Sequence, residues 1–184
     1  MSMSPVYQLK VSLLDVEPSV WRRLQVEGNI TLERLHTVIQ KAMGWESAHL
    51  YEFEVRGRRY GMPEPDEPEY DVEPAWKMTL REAAPAEGVS FQYVYDLGDD
   101  WTHEILVERI ETPHKPLRRP VCLAGERRCP PEDCGGPGGY EDLLAALRDP
   151  RHPDQKEMVR WAGRGFDPEA FDLAAVNRKL RLLK

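Results

Sequence analysis

From Tyr7 to Leu13 polar and apolar residues alternate, with Tyr7, Leu9, Val11 and Leu13 on one side and Gln8, Lys10 and Ser12 on the other. Alternation of this kind predicts a strand with one buried face. After a turn at Asp15–Ser19 the run to Val26 aligns Val20, Leu24 and Val26, and the short link predicts an antiparallel hairpin; Trp21 falls on the opposite face and is expected to cover a second apolar surface. The period then lengthens. Leu35, Val38, Ile39, Ala42 and Met43 recur at helical spacing behind Thr31, which can cap the free N–H groups, and Gly44 supplies a left-handed stop onto which Trp45 can fold back. His36, at the edge of that stripe, reads as a packed boundary histidine. Residues 49–55 form a third strand with His49, Tyr51, Phe53 and Val55 on one face, and the Arg56-Gly-Arg-Arg turn leads to a short return through Tyr60.

The stretch at about 62–76 is acidic and proline-rich, which predicts an exposed, mobile loop. Thr79-Leu-Arg-Glu82 has the capping-box pattern and starts a short helix ended by Pro85. Phe91, Tyr93 and Tyr95 alternate before an acidic turn, and His103, Ile105 and Val107 share a face after it, so a hairpin carries Asp96, Asp99 and Asp100 at its tip. From Pro120 to Tyr140 prolines and glycines predict irregular backbone. Three helices follow. Tyr140, Leu143, Leu144 and Leu147 mark the first; Met158 and Trp161 face inward in the second; Leu173, Val176, Leu180 and Leu183 form the stripe of the third. The expected fold class is α+β, a single domain over residues 1–184. Its largely antiparallel sheet is crossed by one helix in a β-grasp-like start, with three C-terminal helices packed beside it.

Composition narrows the function classes. With 41% hydrophobic and 31% charged residues the chain is suited to a folded, water-soluble core. No run approaches the roughly 20 apolar residues that span a bilayer, and no apolar leader is evident, so a cytoplasmic location is expected. The 25 Lys and Arg against 32 Asp and Glu give a net charge of −7, which opposes phosphate backbones and favours a protein partner over nucleic acid. Three cysteines, an odd number, argue for free thiols or ligands rather than a disulfide framework.

Three constellations could carry chemistry. His103 with Cys122, Cys129 and Cys134 would supply the sulfur and imidazole set that tetrahedral zinc favours; the competing reading is inert thiols. His49 and His103, meeting Asp99 or Asp100, could bind a metal or activate water for hydrolysis, or each histidine could simply finish its strand by bonding a turn. Gly135-Gly-Pro-Gly-Gly before a helix could offer N–H groups to a phosphate, but Glu141 and Asp142 would occupy that positive helix end and repel it.

Read together, several motifs resemble one family. Trp21-Arg22-Arg23, Leu35-His36, Met43-Gly44-Trp45, His49-Leu-Tyr-Glu-Phe53, Tyr95-Asp-Leu-Gly-Asp-Asp-Trp101-Thr-His103, Cys129-Pro-Pro-Glu-Asp-Cys134-Gly-Gly and Asp167-Pro-Glu-Ala-Phe-Asp172 with Val176-Asn177 are similar to the plasmid pRiA4b ORF-3-like family over nearly the whole chain. The resemblance implies an α+β domain found in bacteria, archaea and mobile elements, some members of which carry a transposon-passenger or resolvase-like label, and it implies no particular activity. Recombinase chemistry needs an activated serine with arginines on the scissile phosphate. Ser2, Ser4, Ser12, Ser19, Ser47 and Ser90 lie at the terminus, on strands or in turns, which speaks against it. The expectation is a cytoplasmic interaction or accessory module; the alternative is a metal-dependent hydrolase built on His49, His103 and Asp99 or Asp100.

Overall fold

The computed structural model describes residues 4–63, 71–163 and 165–183. Its strands are β1 (Val6–Leu13), β2 (Trp21–Glu27), β3 (Tyr51–Val55), β4 (Arg58–Gly61), β5 (Glu73–Pro74), β6 (Ser90–Tyr95), β7 (Trp101–Glu111) and β8 (Val121–Glu126). Its helices are α1 (Leu32–Met43), α2 (Leu80–Ala83), α3 (Gly136–Arg148), α4 (Gln155–Ala162) and α5 (Leu173–Arg181).

The strands form one sheet in the order β5-β4-β3-β6-β7-β1-β2-β8. Every neighbouring pair is antiparallel except β4 with β5. The expected α+β class and largely antiparallel sheet are therefore present, with hairpin, helix and strand opening the chain in that order. Because β6 and β7 lie between β1 and β3, the acidic hairpin occupies the middle of the sheet.

The alternation explains the burial. Leu9 and Val11 of β1, Leu24 and Val26 of β2, and Ile105 and Val107 of β7 are all fully buried. Truncating one such leucine costs about 2–5 kcal/mol through lost transfer energy and the cavity left behind. The α1 helix closes this face with Leu32, Leu35, Val38, Ile39 and Ala42. Thr31 accepts a hydrogen bond from the Arg34 N–H at its start, and Gly44, at φ 111°, ends it in the left-handed conformation. Trp45 does fold back: it is buried, and its indole N–H donates to the Pro130 carbonyl at 3.0 Å.

Four local expectations change. Residues 121–126 form strand β8 rather than irregular backbone, pairing Cys122 with Leu24 and Gly125 with Arg22. Residues 64–70 of the acidic loop lie outside the described residues, but its far end rejoins the sheet as β5, with Val72 and Ala75 buried. Trp21 lies under two cations, Lys10 at 5.3 Å and Arg23 at 5.2 Å, instead of under apolar side chains. Finally, no residue of α4 is buried, and Trp161 is half-exposed at 48% instead of facing inward. The C-terminal α5 docks more firmly: Leu180 is fully buried, and Asn177 exchanges hydrogen bonds with the backbone of Cys122.

Candidate functional site

The hairpin's second strand carries His103 into the core. It stands between Tyr93 of β6 and Leu13 of β1, fully buried. Its Nδ1–H donates to the Tyr93 carbonyl at 3.2 Å, and Trp45 meets the ring edge-on at 5.3 Å. Nε2 has no hydrogen-bond partner among the described residues. Burial pushes this imidazole down to about 4, so at neutral pH it is an uncharged packing group. His36 is similar. It stacks on Tyr51 at 3.6 Å, its Nδ1 lies 2.7 Å from the Tyr93 hydroxyl, and burial lowers it to about 3.

The cysteines are all free thiols. Cys122 is buried in β8, its thiol donating to the Ala124 carbonyl; burial holds Cys129 well above the usual thiol range and pushes Cys134 up to about 12. Both are therefore protonated thiols in this arrangement. Asp99 accepts a hydrogen bond from the Gly135 N–H at 3.1 Å, just ahead of α3, while Asp100 is an exposed turn residue. Among the described residues, the His, Cys, Asp and Glu groups whose ligand atoms converge within 4.8 Å are His49, Asp96 and Asp133. His103, Asp99, Asp100 and the cysteines are not in that set, so neither predicted constellation is assembled. The glycine run is also reassigned: α3 starts at Gly136, Glu141 and Asp142 lie beyond its first turn, and the carboxylate next to its start is that of Asp99.

The converging set lies at the corner of the hairpin. Asp96, at φ 59°, accepts hydrogen bonds on Oδ1 from the Gly98 and Asp99 N–H groups at 3.0 and 3.3 Å, which shapes the turn. Its other oxygen is 3.6 Å from His49 Nε2. Asp133 comes to 3.0 Å of the same nitrogen and Glu132 to 3.8 Å. Glu132 is held by the Tyr95 hydroxyl, 3.1 Å from both its oxygens, and by the Glu46 N–H at 2.8 Å. Tyr95 donates because burial, chiefly, raises its hydroxyl well above the usual range. One imidazole thus faces three carboxylates, an arrangement that can hold a divalent cation or stand as an ion-paired cluster.

Glu132 also borders a cleft between the end of α1, residues 128–132 and the segment leading into α5, with a volume of about 410 Å³. Met43, Trp45, Phe166, Phe171 and Val176 give it apolar walls, and Arg22 contributes to its lining. Arg22 is 3% exposed and donates from Nε to Ala42 at 2.9 Å and from Nη1 to the carbonyls of Trp21 at 2.8 Å and Glu126 at 2.9 Å. Phe171 covers its guanidinium at 4.6 Å. Gly125 makes this stack possible, since a Cβ there would fall 2.7 Å from Phe171 and 2.9 Å from the Arg22 side chain.

Sequence reasoning places Asp96 at the acidic hairpin tip but passes over Arg22, Glu132 and Asp133 as candidate site residues. For Arg22 the signal was available: alternation along β2 puts it on the same face as Val20 and Leu24, where an arginine requires explanation. Glu132 and Asp133 stand between Cys129 and Cys134, so the segment whose cysteines suggest a metal site carries two acids as well.

Fold and site together define an α+β protein with one central, largely antiparallel sheet, a surface cleft and an acidic histidine corner beside it. The family model described as plasmid pRiA4b ORF-3-like protein matches residues 5–175, and the chain belongs to that family. It is 40% identical over 178 residues to uncharacterized protein y4hQ of Sinorhizobium fredii (strain NBRC 101917 / NGR234), covering 96% of this chain and 91% of that protein. It is also similar to the crystal structure of MM3350, a protein of unknown function from Methanosarcina mazei Go1, at 36% identity with a TM-score of 0.82, covering 94% of this chain and 97% of that one. No helix among the described residues is long and apolar enough to cross a membrane.

Proposed function

We propose that this chain is a non-enzymatic interaction or accessory module that receives a partner protein in the cleft beside α5. The observation that carries this reading is the cleft itself: about 410 Å³, with apolar walls and charged residues of both signs in its lining. Surfaces of this kind bind through a desolvated apolar centre, while the polar rim sets orientation. The net charge of −7 favours protein over nucleic acid. The three cysteines are unpaired, which suits a reducing cytoplasm. The plasmid in the family's description supports placing the partner among the proteins of a mobile element.

The test is site-specific photo-crosslinking in the native host, with the crosslinker at Lys41 in the cleft or at exposed Arg109 on β7. A discrete adduct from Lys41, absent from Arg109 and lost when Phe166→Ala strips one wall, is the expected result. Adducts that are the same from both positions, or that ignore the Phe166 change, contradict the reading.

The convergence of His49, Asp96 and Asp133 favours a second reading, a metal-dependent hydrolase in which these residues replace the expected pairing of His49 with His103. It requires one equivalent of Mn²⁺ or Zn²⁺ bound by the full chain and lost in Asp133→Asn. Calorimetry showing no such stoichiometric binding removes it.

A further inference from the structure

We propose that the cleft takes an acidic segment of the partner protein and that Arg22 binds one of its carboxylates; the inference rests on the reading of the cleft as a protein-binding surface. A guanidinium is permanently charged and rich in donors, and when buried it is ordinarily matched by an acid. Arg22 is buried without that match. Its Nε and Nη1 are committed to three backbone carbonyls, whereas Nη2 has no hydrogen-bond partner and no carboxylate forms an ion pair with the group, among the described residues. The three carbonyls and the Phe171 ring hold the fork rigidly at the cleft. The donor left over, Nη2, is fixed by these bonds and can give a charge-assisted hydrogen bond to one carboxylate oxygen.

The surroundings point the same way. Lys41, Arg128 and Lys179 also line the cleft, and none forms an ion pair with a described residue. Arg128 rests on the Phe166 ring at 4.8 Å, leaving its donors at the rim. Of the three acids in the lining, Glu132 already accepts from Tyr95 and Glu46, and Asp172 caps α5 through the Ala175 N–H at 2.8 Å. Glu46 is the acid whose carboxylate is uncommitted among the described residues. Four cations against three acids give this cleft a net positive lining in a chain whose net charge is −7. The walls formed by Met43, Phe166, Phe171 and Val176 would have nothing to cover if the occupant were a bare anion. An acidic segment with an apolar side chain between its carboxylates satisfies both features.

The test is calorimetric titration of the full chain, at fixed low salt, with Ac-Glu-Leu-Glu-Phe-Glu-NH2, with the same peptide bearing Lys in place of each Glu, and with inorganic phosphate. The acidic peptide is expected to bind about tenfold or more tightly than either other probe, and to weaken as salt rises. Arg22→Gln should reduce that binding; since this residue also ties β2, β8 and α1 together, the variant Lys179→Glu, at an exposed rim position whose side chain makes no hydrogen bond or ion pair among the described residues, must reduce it as well. No binding, indifference to Lys179→Glu, or phosphate binding as tightly as the peptide overturns the proposal. Equal affinity for the two peptides overturns the acidic ligand but leaves a binding cleft, whereas a Lys41 adduct indifferent to the cleft walls overturns the reading beneath it.

Discussion

His103 and His49 flank the same acidic hairpin, and the protein treats them in opposite ways. His103 is sealed between Tyr93, Leu13 and Trp45, fully buried and held neutral at ordinary pH. His49 sits at the rim, its side chain 31% exposed, with three carboxylates around Nε2. Residue type therefore says little here. Solvent access and neighbouring charge make one imidazole part of the packing and the other part of a surface that can meet a cation or a partner.

The largest break in that contrast should come from putting charge into the interior. His103→Asp buries an unpaired carboxylate and is expected to cost about 4 kcal/mol or more, whereas His103→Phe, of similar shape, should cost only about 1 kcal/mol for the lost bond to Tyr93; urea unfolding measures both. Next in size is pH. His36 and His103 have folded values near 3 and 4, below the ordinary 6.5, so unfolding takes up protons as pH falls. Stability should hold above about pH 6.5 and drop from there toward pH 4, with about 3 kcal/mol of the loss due to His103 and absent in His103→Phe.

Smaller effects sharpen the difference between a well-embedded element and a loosely covered one. Thr31→Ala removes the cap of α1 and should lower stability by about 1 kcal/mol in the same urea assay. Trp161→Ala on α4, where no residue is buried, should stay within about 0.5 kcal/mol of wild type. His49→Gln should likewise leave stability within about 0.5 kcal/mol, because the corner it leaves is open to water.

The same contrast explains what could be read from the sequence. The hairpins, α1 with Thr31 and Gly44, and the capping box of α2 are written in local periodicity and terminal residues, and they stand where the pattern put them. Strand β8 was hidden because Val121 to Gly125 includes no clear alternation, and it is ordered by pairing with β2. In α4 the spacing of Met158 and Trp161 describes a face but cannot say what packs against it. The corner joins residues 49, 96 and 133, and the cleft joins β2 to the segment before α5. Such contacts depend on strand order and on loops 128–134, which no local pattern encodes. Arg22 was the exception, an arginine in phase with the core.

Amide chemical shifts test the central claim most directly: ¹⁵N-labelled full chain titrated with Ac-Glu-Leu-Glu-Phe-Glu-NH2. The account predicts saturable shifts in residues 42–46, 128–132 and 175–179, with the amides around His103 unmoved. Shifts centred on residues 101–105, or none along the cleft, would contradict it.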